Sequence, residues 1–476
     1  NIIFVNHHYC HASNTFLFSN FDESLVIVQD AKGSKINHKI NIYEKFKNLS
    51  LLDFLNPKKK LKFAEGLSVY KANRNPFKLE LIFTKKVSST RTSGPKNVDI
   101  LYSFARKFCS FGQFGAGKVM GLSSYGRYHP PKYFDLNLLD INDLDFEFSK
   151  FYKKNIKIIS KKLIKFKTPK VFSSIEEITN SDEAKMASEA QHLLEQFMMK
   201  FSIKLKEKYK KFKYLCLSGG SALNLSANRK VYDLGIFKEV FIAPSSDDSG
   251  IALGAAIHGY YEILKQNTDR IDFFASYLGK DYNFDSNEIS ILGDNIKFSD
   301  DRLLEKCIEV LTDEKVIGIC KGRSENGPRS LGNRSILALP NKVSQKNKVN
   351  LFKNREWWRP FSPVCIEEDL ENYFDLKLKN PYMLFTTIAL DITKKLCPAI
   401  VHFDGTARVQ SINIKQNVFI YSLLKKLKDK GLPPILLNTS FNRAGEPIVE
   451  SPLDAYNCFK VSPIDFLIIG NRFFSK

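Results

Sequence analysis

The stretch Tyr214-Leu215-Cys216-Leu217-Ser218-Gly219-Gly220-Ser221-Ala222-Leu223-Asn224 points to the fold class. Its first four residues have the length of a buried strand and run into paired glycines, then a helix start. Small residues there let the backbone approach a nucleotide, and a helix N-terminus favours anions. A tight strand-to-helix turn that needs glycine for geometry alone has the same signature. Working outward, Leu25-Val26-Ile27-Val28 and Val240-Phe241-Ile242-Ala243, the latter closed by Pro244, read as further strands. Between them a helix is expected over Asp182–Lys208, capped by Ser181, with Asp182 and Glu183 in its first turn. Ala187, Ala190, Leu194, Phe197 and Phe201 give that helix an apolar stripe suited to packing on a sheet. Alternating strands and helices predict an α/β fold.

The chain has 476 residues, which suggests two or three domains, and 43% apolar residues, ample for a core. No run is long and apolar enough for a membrane span, so no membrane partner is expected. Residues 1–6 read as a buried strand with neither a basic n-region nor a long h-region, so they are not a signal peptide. The eight cysteines form no CxxC pair, and free buried thiols in a reducing cytoplasm fit them best. Lys and Arg exceed Asp and Glu by 72 − 51 = 21. The excess is scattered Lys, as in Lys58-Lys59-Lys60, with no RNA- or DNA-reading motif. It suits phosphorylated substrates better than nucleic acid. Residues 130–180 read as a Lys-rich insertion, and 265–300 as the connection between two domains. A new strand begins at Val316 to Cys320.

Three segments read as a metal site. In His7-His8-Tyr9-Cys10-His11, His7 and His11 lie one helical turn apart if a helix opens there. HxxxH alone is a weak signal, and packed or capping histidines read the same way. Asp30 follows the strand at 25–28 and precedes the turn Ala31-Lys32-Gly33. Asp248, in Asp247-Asp248-Ser249-Gly250, opens a helix expected over 251–261, where it equally suits a helix cap. Two imidazoles with one or two carboxylates suit Fe(II), Mn(II) or Zn(II).

Beyond residue 316 come glycine-punctuated clusters: Gly322-Arg323, Gly327-Pro328-Arg329-Ser330-Leu331-Gly332-Asn333-Arg334-Ser335, Lys353-Asn354-Arg355-Glu356, Arg359-Pro360-Phe361, Asp404-Gly405-Thr406-Ala407-Arg408 and Asn438-Thr439-Ser440-Phe441-Asn442. Arg clamps phosphate bidentately, Lys adds a point charge, and Ser, Thr and Asn complete an oxyanion pocket. Their density points to a phosphate or nucleotide site. Gly115-Ala116-Gly117-Lys118 superficially resembles a phosphate loop but lacks the GxxxxGK[ST] spacing.

The phrases NHHYCHAS, GAGKVMGLSSYG, LSGGSALN, APSSDDSGIALGAA, KGRSENGPRSLGNRSILA, FDGTARVQ and LLNTSFNRAGEPIV span nearly the whole chain. Together they closely resemble the NodU/CmcH/TobZ-type O-carbamoyltransferases of nodulation-factor and antibiotic biosynthesis. The resemblance implies an actin/Hsp70-like (ASKHA) domain at 1–275 followed by an α+β YrdC-like domain at 300–476. It also implies two steps. The second domain makes carbamoyl-adenylate from ATP, with Mg²⁺, and carbamoyl phosphate. The first, holding iron, passes the carbamoyl group to a hydroxyl of a small-molecule acceptor. On this likeness His7, His11, Asp30 and Asp248 hold the metal, and His7, Asp248 and Arg408 carry the chemistry. Gly219, Gly220 and Asn224 form the nucleotide loop. Arg323, Arg329, Arg355, Arg408, Asn438 and Ser440 serve carbamoyl phosphate and the adenylate. A cytoplasmic protein, with a homodimer allowed, is the expected setting. Two departures stand out. The family's N-terminal lobe before HxxxH does not appear in this sequence, so either the chain is a fragment of a longer protein or a separate lobe or chain supplies it, which leaves the general base unassigned. Asn326 stands where the family pattern has an aromatic residue. A tRNA threonylcarbamoyladenosine-type transferase is the alternative, opposed by the GPRSLGNRS and DGTARVQ phrases.

Overall fold

The computed structural model describes residues 5–30, 35–36, 63–88, 98–113, 115–126, 133–134, 141, 144, 168–267, 270 and 274–476. The expected strand at residues 1–4, the Ala31-Lys32-Gly33 turn, Lys58-Lys59-Lys60 and most of the 130–180 insertion lie outside these residues. The chain forms two compact units, Asn1–Phe273 and Phe274–Lys476. Both are mixed α/β.

In the first unit β1 (Glu23–Gln29), β2 (Lys35–Ile36), β3 (Phe63–Asn73), β4 (Lys78–Ser88), β5 (Tyr214–Ser218) and β6 (Glu239–Ile242) share one sheet, ordered β2-β3-β1-β5-β6 with β4 on β3. β1 runs parallel to β5, with Val26 opposite Cys216, and β5 parallel to β6, with Cys216 opposite Phe241. Their C-terminal ends therefore open on one edge, the usual ligand position in such sheets. Leu25 to Val28 are all buried, which explains an unbroken apolar run instead of an alternating one.

Helix α1 (His7–Ser19) is buried along nearly its whole length, so its polar groups need internal partners. Ser13 Oγ donates to Gly254 O at 3.1 Å, Asn14 Nδ2 to Ser245 O at 2.8 Å and Thr15 Oγ1 to Ser218 Oγ at 2.7 Å. α2 (Ala116–Gly126) packs on α3 (Asp182–Lys208), as does α4 (Leu225–Asp233), while α5 (Ile251–His258) packs on α1. A Cβ on Gly254 would sit 2.1 Å from Cys10 O, so only glycine lets α5 approach α1 this closely. α3 begins as expected: Ser181 Oγ accepts from Ala184 N at 3.1 Å, and the stripe from Ala187 to Phe201 is buried. The helix read over 251–261 departs from expectation. After His258 it widens to a π-turn over Gly259–Ile263, where Tyr261 stacks on Phe77 with ring centroids 4.3 Å apart.

The second unit has an eight-stranded sheet ordered β14-β10-β15-β9-β8-β16-β17-β7. In chain order its strands are β7 (Asn295–Lys297), β8 (Ile317–Cys320), β9 (Arg334–Ala338), β10 (Ser362–Ile366), β14 (Gln410–Ile412), β15 (Ile435–Ser440), β16 (Phe466–Ile469) and β17 (Arg472–Ser475). A small sheet joins β11 (Phe374–Asp375), β12 (Thr387–Ala389) and β13 (Thr406–Ala407). Period-two alternation sorts the large sheet's residues into two cores. Cys320, Ile336, Cys365, Leu437 and Leu467 face one side with α7 (Val343–Phe352) and α9 (Pro452–Val461). Ile319, Leu337, Val364, Leu436 and Ile468 face the other with α6 (Asp300–Thr312) and α8 (Val418–Asp429). The 265–300 stretch, expected as a connection, also supplies β7, which pairs with β17 at the sheet edge. All eight cysteines are free and buried. No helix among the described residues is long and apolar enough to cross a membrane.

Candidate functional site

The first unit gathers His7, His11, Asp30 and Asp248 so that one ligand atom from each lies within 4.8 Å of all the others. α1 starts at His7 because the Asn6 side chain accepts from Tyr9 N at 2.8 Å, which sets His7 and His11 one turn apart. Asp30 leaves the end of β1. Asp248 is free of the capping role because Asp247 takes it, accepting from Ser249 N at 3.3 Å and Ser249 Oγ at 2.5 Å. The two Nε2 atoms are 3.2 Å apart. Asp30 Oδ2 is 3.1 and 3.4 Å from His7 and His11, and Asp248 Oδ1 is 3.6 and 3.5 Å from them. Bonds of about 2.0–2.2 Å to a tetrahedral cation would separate ligand atoms by about 3.3–3.6 Å, so the residues fit a metal ion. His11 is fully buried and Asp248 is 76% exposed, so the site is closed on the helix side and open on the Asp248 side.

Burial alone would push the His11 imidazolium down. Hydrogen bonds to Asp248 and Asp30 outweigh it and hold the group up at about 9. His8 shows what a packing histidine looks like. It is buried, its Nδ1 lies 2.7 Å from Ser68 Oγ, and burial drives it down to about 3.

Gly219 and Gly220 lie beside this group. Gly219 has φ of +86°, and a Cβ there would meet Gln29 O at 2.3 Å. A Cβ on Gly220 would come within 3.4 Å of Asp30 Oδ1. Asn224 is occupied by the protein: it caps α4 through Ala227 N at 3.0 Å and exchanges two 2.9 Å amide bonds with Gln191.

In the second unit the structure brings Arg329, Arg355 and Arg408 together with Lys353 and Arg359, two cations of the same sequence clusters that the family resemblance did not assign. Burial first, then the charges of Arg329, Arg355 and Arg359, hold the Arg408 guanidinium well below the ordinary arginine range. Arg355 and Lys353 are depressed in the same way, by burial and by their neighbours Arg359 and, for Lys353, Arg355. A guanidinium keeps its proton in a protein, so these depressions express unbalanced positive charge. Glu356, 3.7 Å from Arg359, is the carboxylate the described contacts place among them. Neutral groups orient the cations. Arg408 Nε donates to Ser362 Oγ at 2.5 Å, and Arg355 Nε to Asn350 Oδ1 at 2.5 Å with its guanidinium 4.0 Å from the Phe361 ring centroid. Lys353 Nζ donates to Ser440 O, to Ser440 Oγ at 3.1 Å and to Asn442 Oδ1 at 2.8 Å. The half-buried His402 imidazole lies nearby. Burial, opposed by Asp404 and reinforced by Arg408 and Lys346, takes it down to about 4.

Two sequence candidates are placed differently. Arg323 is exposed, 3.6 Å from Asp281, and among the described residues no contact ties it to the cationic group. Asn438 is buried, donating to Gln410 Oε1 at 2.9 Å and Ser330 O at 3.3 Å, and so braces the strands beneath the group. Lys353 and Asn442 stand two residues from a named candidate, Lys353 before Arg355 and Asn442 after Ser440.

Comparison with known proteins bears on both sites. The family described as Carbamoyltransferase N-terminus matches residues 1–257, and Carbamoyltransferase C-terminus matches 308–476. The chain is 30% identical to the nodulation protein NolNO of Sinorhizobium fredii over 488 residues, covering 100% of this chain and 64% of that protein. It is 31% identical to the nodulation protein NolO of Bradyrhizobium diazoefficiens, covering 98% of this chain and 78% of that protein. It is also 31% identical to the 3'-hydroxymethylcephem-O-carbamoyltransferase of Amycolatopsis lactamdurans, over 55% of this chain and 49% of that protein. A solved structure of T. kodakarensis HypF matches 56% of this chain and 38% of that one at 14% identity and a TM-score of 0.27, too low to carry an argument. The chain belongs to the carbamoyltransferase family.

Proposed function

We propose that the chain is an ATP-dependent O-carbamoyltransferase. It forms carbamoyl-adenylate from carbamoyl phosphate and ATP and transfers the carbamoyl group to a hydroxyl of a small-molecule acceptor. The observation that carries this reading is the clustering of Lys353, Arg355, Arg359 and Arg408, with the charge of Arg329 reaching Arg408, a set of cations that suits a polyanion. In this reading the second unit, a YrdC-like domain over about residues 300–476, makes the adenylate. Its guanidinium groups grip the phosphates of ATP and carbamoyl phosphate and offset charge on the departing pyrophosphate and phosphate. Arg408, oriented by Ser362, is the cation at the reacting phosphates, and Ser440 holds the Lys353 ammonium toward the same anion.

The first unit, an actin/Hsp70-like domain over about residues 1–275, carries out the transfer. Gly219 and Gly220 let the backbone approach the nucleotide. His7, His11, Asp30 and Asp248 hold Fe(II), or Mn(II) or Zn(II) in its place. Such an ion supplies Lewis acidity toward the carbamoyl oxygen. His7 and Asp248 stand on the exposed side of the set, where an acceptor would approach, and orient the reacting group there.

The test is incubation with ATP, Mg²⁺, carbamoyl phosphate and a panel of sugar and antibiotic alcohols, read by mass spectrometry for the gain of one carbamoyl group. Product that requires both ATP and carbamoyl phosphate is expected. Product formed equally well without ATP would contradict the adenylate route.

A further inference from the structure

Lys353 is only 5% exposed, and its ammonium donates to Ser440 O, to Ser440 Oγ at 3.1 Å and to Asn442 Oδ1 at 2.8 Å. An ammonium has three N–H donors, and these three oxygens take them all. Each oxygen is uncharged. A buried lysine is ordinarily paired with a carboxylate. Here the charge is fully hydrogen-bonded, and its bonding partners supply no counter-charge. Burial, with Arg355 and Arg359 nearby, lowers the ammonium well below its ordinary range, as expected of a cation held by neutral groups.

Asn442 is the partner at which a carboxylate would fit, since aspartate has the same shape. Its amide is fully committed. Oδ1 accepts from Lys353 Nζ and from Ser440 Oγ, the latter at 2.7 Å, while Nδ2 donates to Glu446 O at 2.7 Å and to Arg443 O at 3.1 Å. A turned amide would aim its N–H groups at an ammonium, so these bonds fix the oxygen on the lysine. The same turn holds the lysine's other end, as Ala444 N donates to Lys353 O at 3.0 Å. Glu446 is the acidic residue of the turn, and Arg443 engages it with Nε 3.1 and 3.2 Å from its two oxygens and Nη2 2.5 Å from one. The turn therefore offers Lys353 an amide and keeps its carboxylate on a cation of its own.

The sheet sets where that charge stands. Ser362, which accepts from Arg408 Nε, lies opposite Asn438 across β10 and β15. Ser440 is two residues further along β15 and so shares that face. The serines bonded to Arg408 and Lys353 are thus one strand and two residues apart, about 8 Å. We infer that Asn442 is a positioning residue that acts through Lys353: its neutral oxygen holds the ammonium on the sheet face of Arg408 as an uncompensated charge for a bound phosphate. The inference rests on the reading of the cationic group as a phosphate site.

The experiment is calorimetric titration of the full chain with inorganic pyrophosphate, comparing Asn442→Ala, Asn442→Asp and Lys353→Met. Asn442→Ala is expected to weaken binding about tenfold through the lost bond. Asn442→Asp is expected to weaken it about a hundredfold, because a carboxylate within hydrogen-bond reach neutralises the ammonium. A purely structural role predicts the reverse order, since aspartate keeps both accepted bonds that alanine loses. An aspartate variant that binds as tightly as wild type, or more tightly than the alanine variant, overturns the inference. If Asn442→Asp fails to fold, a cycle decides: on the Lys353→Met background, Asn442→Ala should weaken pyrophosphate binding no further. A further loss of about tenfold there overturns the inference as well. Wild-type affinity in Lys353→Met would instead remove the phosphate-site reading at this residue, and the role of Asn442 with it.

Discussion

The two units solve opposite charge problems. In the first, two carboxylates and two imidazoles converge near the ends of parallel strands, in an arrangement that fits a cation. In the second, four arginines and a lysine are packed together with Glu356, and neutral oxygens of Ser362, Asn350 and Ser440 orient them. The first set suits a cation and the second a polyanion. The first site is assembled by backbone topology: helix α1 delivers two ligands, the end of β1 one and the turn after β6 one. The second is assembled by loops braced from below by buried amides such as Asn438. Substitutions should therefore separate the two, each abolishing one partial function and sparing the other.

The largest effect is expected at Arg408. Arg408→Ala should slow carbamoyl phosphate-dependent pyrophosphate release by about 10²–10³-fold, the scale for losing one preorganised charge contact, while metal content stays at the wild-type level. A parallel fall in metal would break the separation. Next, His11→Ala should abolish stoichiometric metal by elemental analysis and leave pyrophosphate release intact. Metal retained in that variant would remove His11 from the ligand set. Gly219→Ala should destabilise the first unit by about 1–3 kcal/mol in denaturant unfolding, since φ is +86° and the new Cβ would strike Gln29 O. An unchanged midpoint would show that β1 can move aside.

A pH series sharpens the second site. Lys353 is depressed in the folded state, so the unfolded state binds more protons between that depressed value and the ordinary 10.5. Stability of the anion-free second unit should therefore rise as pH rises through that window, and saturating pyrophosphate should flatten the rise. A falling or flat profile without anion would mean that Lys353 is already compensated. The smallest change is expected at Asn224: Asn224→Ala removes the α4 cap at a cost of about 1 kcal/mol in the unfolding midpoint, mainly through structure.

Much of the first site was legible because it depends on local rules. The i, i+4 spacing of His7 and His11 becomes geometry as soon as a helix forms, and Asp30 and Asp248 sit where strands end. In the second unit the sequence showed the cations without showing which are shielded from water. Lys353 lies in a cluster that reads as an anion site and is buried, whereas Arg323, in an equally suggestive phrase, stays exposed. Asn224 and Asn438 were read as ligand groups because amides suit that task, yet both are spent on buried amide pairs. The π-turn at Gly259–Ile263 was equally illegible, because it depends on Phe77 meeting Tyr261 from a distant strand turn.

The most direct test of the central claim is pyrophosphate release from ATP and Mg²⁺ by the metal-loaded chain, without acceptor, with and without carbamoyl phosphate. Release that depends on carbamoyl phosphate and disappears in Arg408→Ala is the predicted result. Folded, metal-loaded protein that releases no pyrophosphate, or releases it equally without carbamoyl phosphate, would contradict the account.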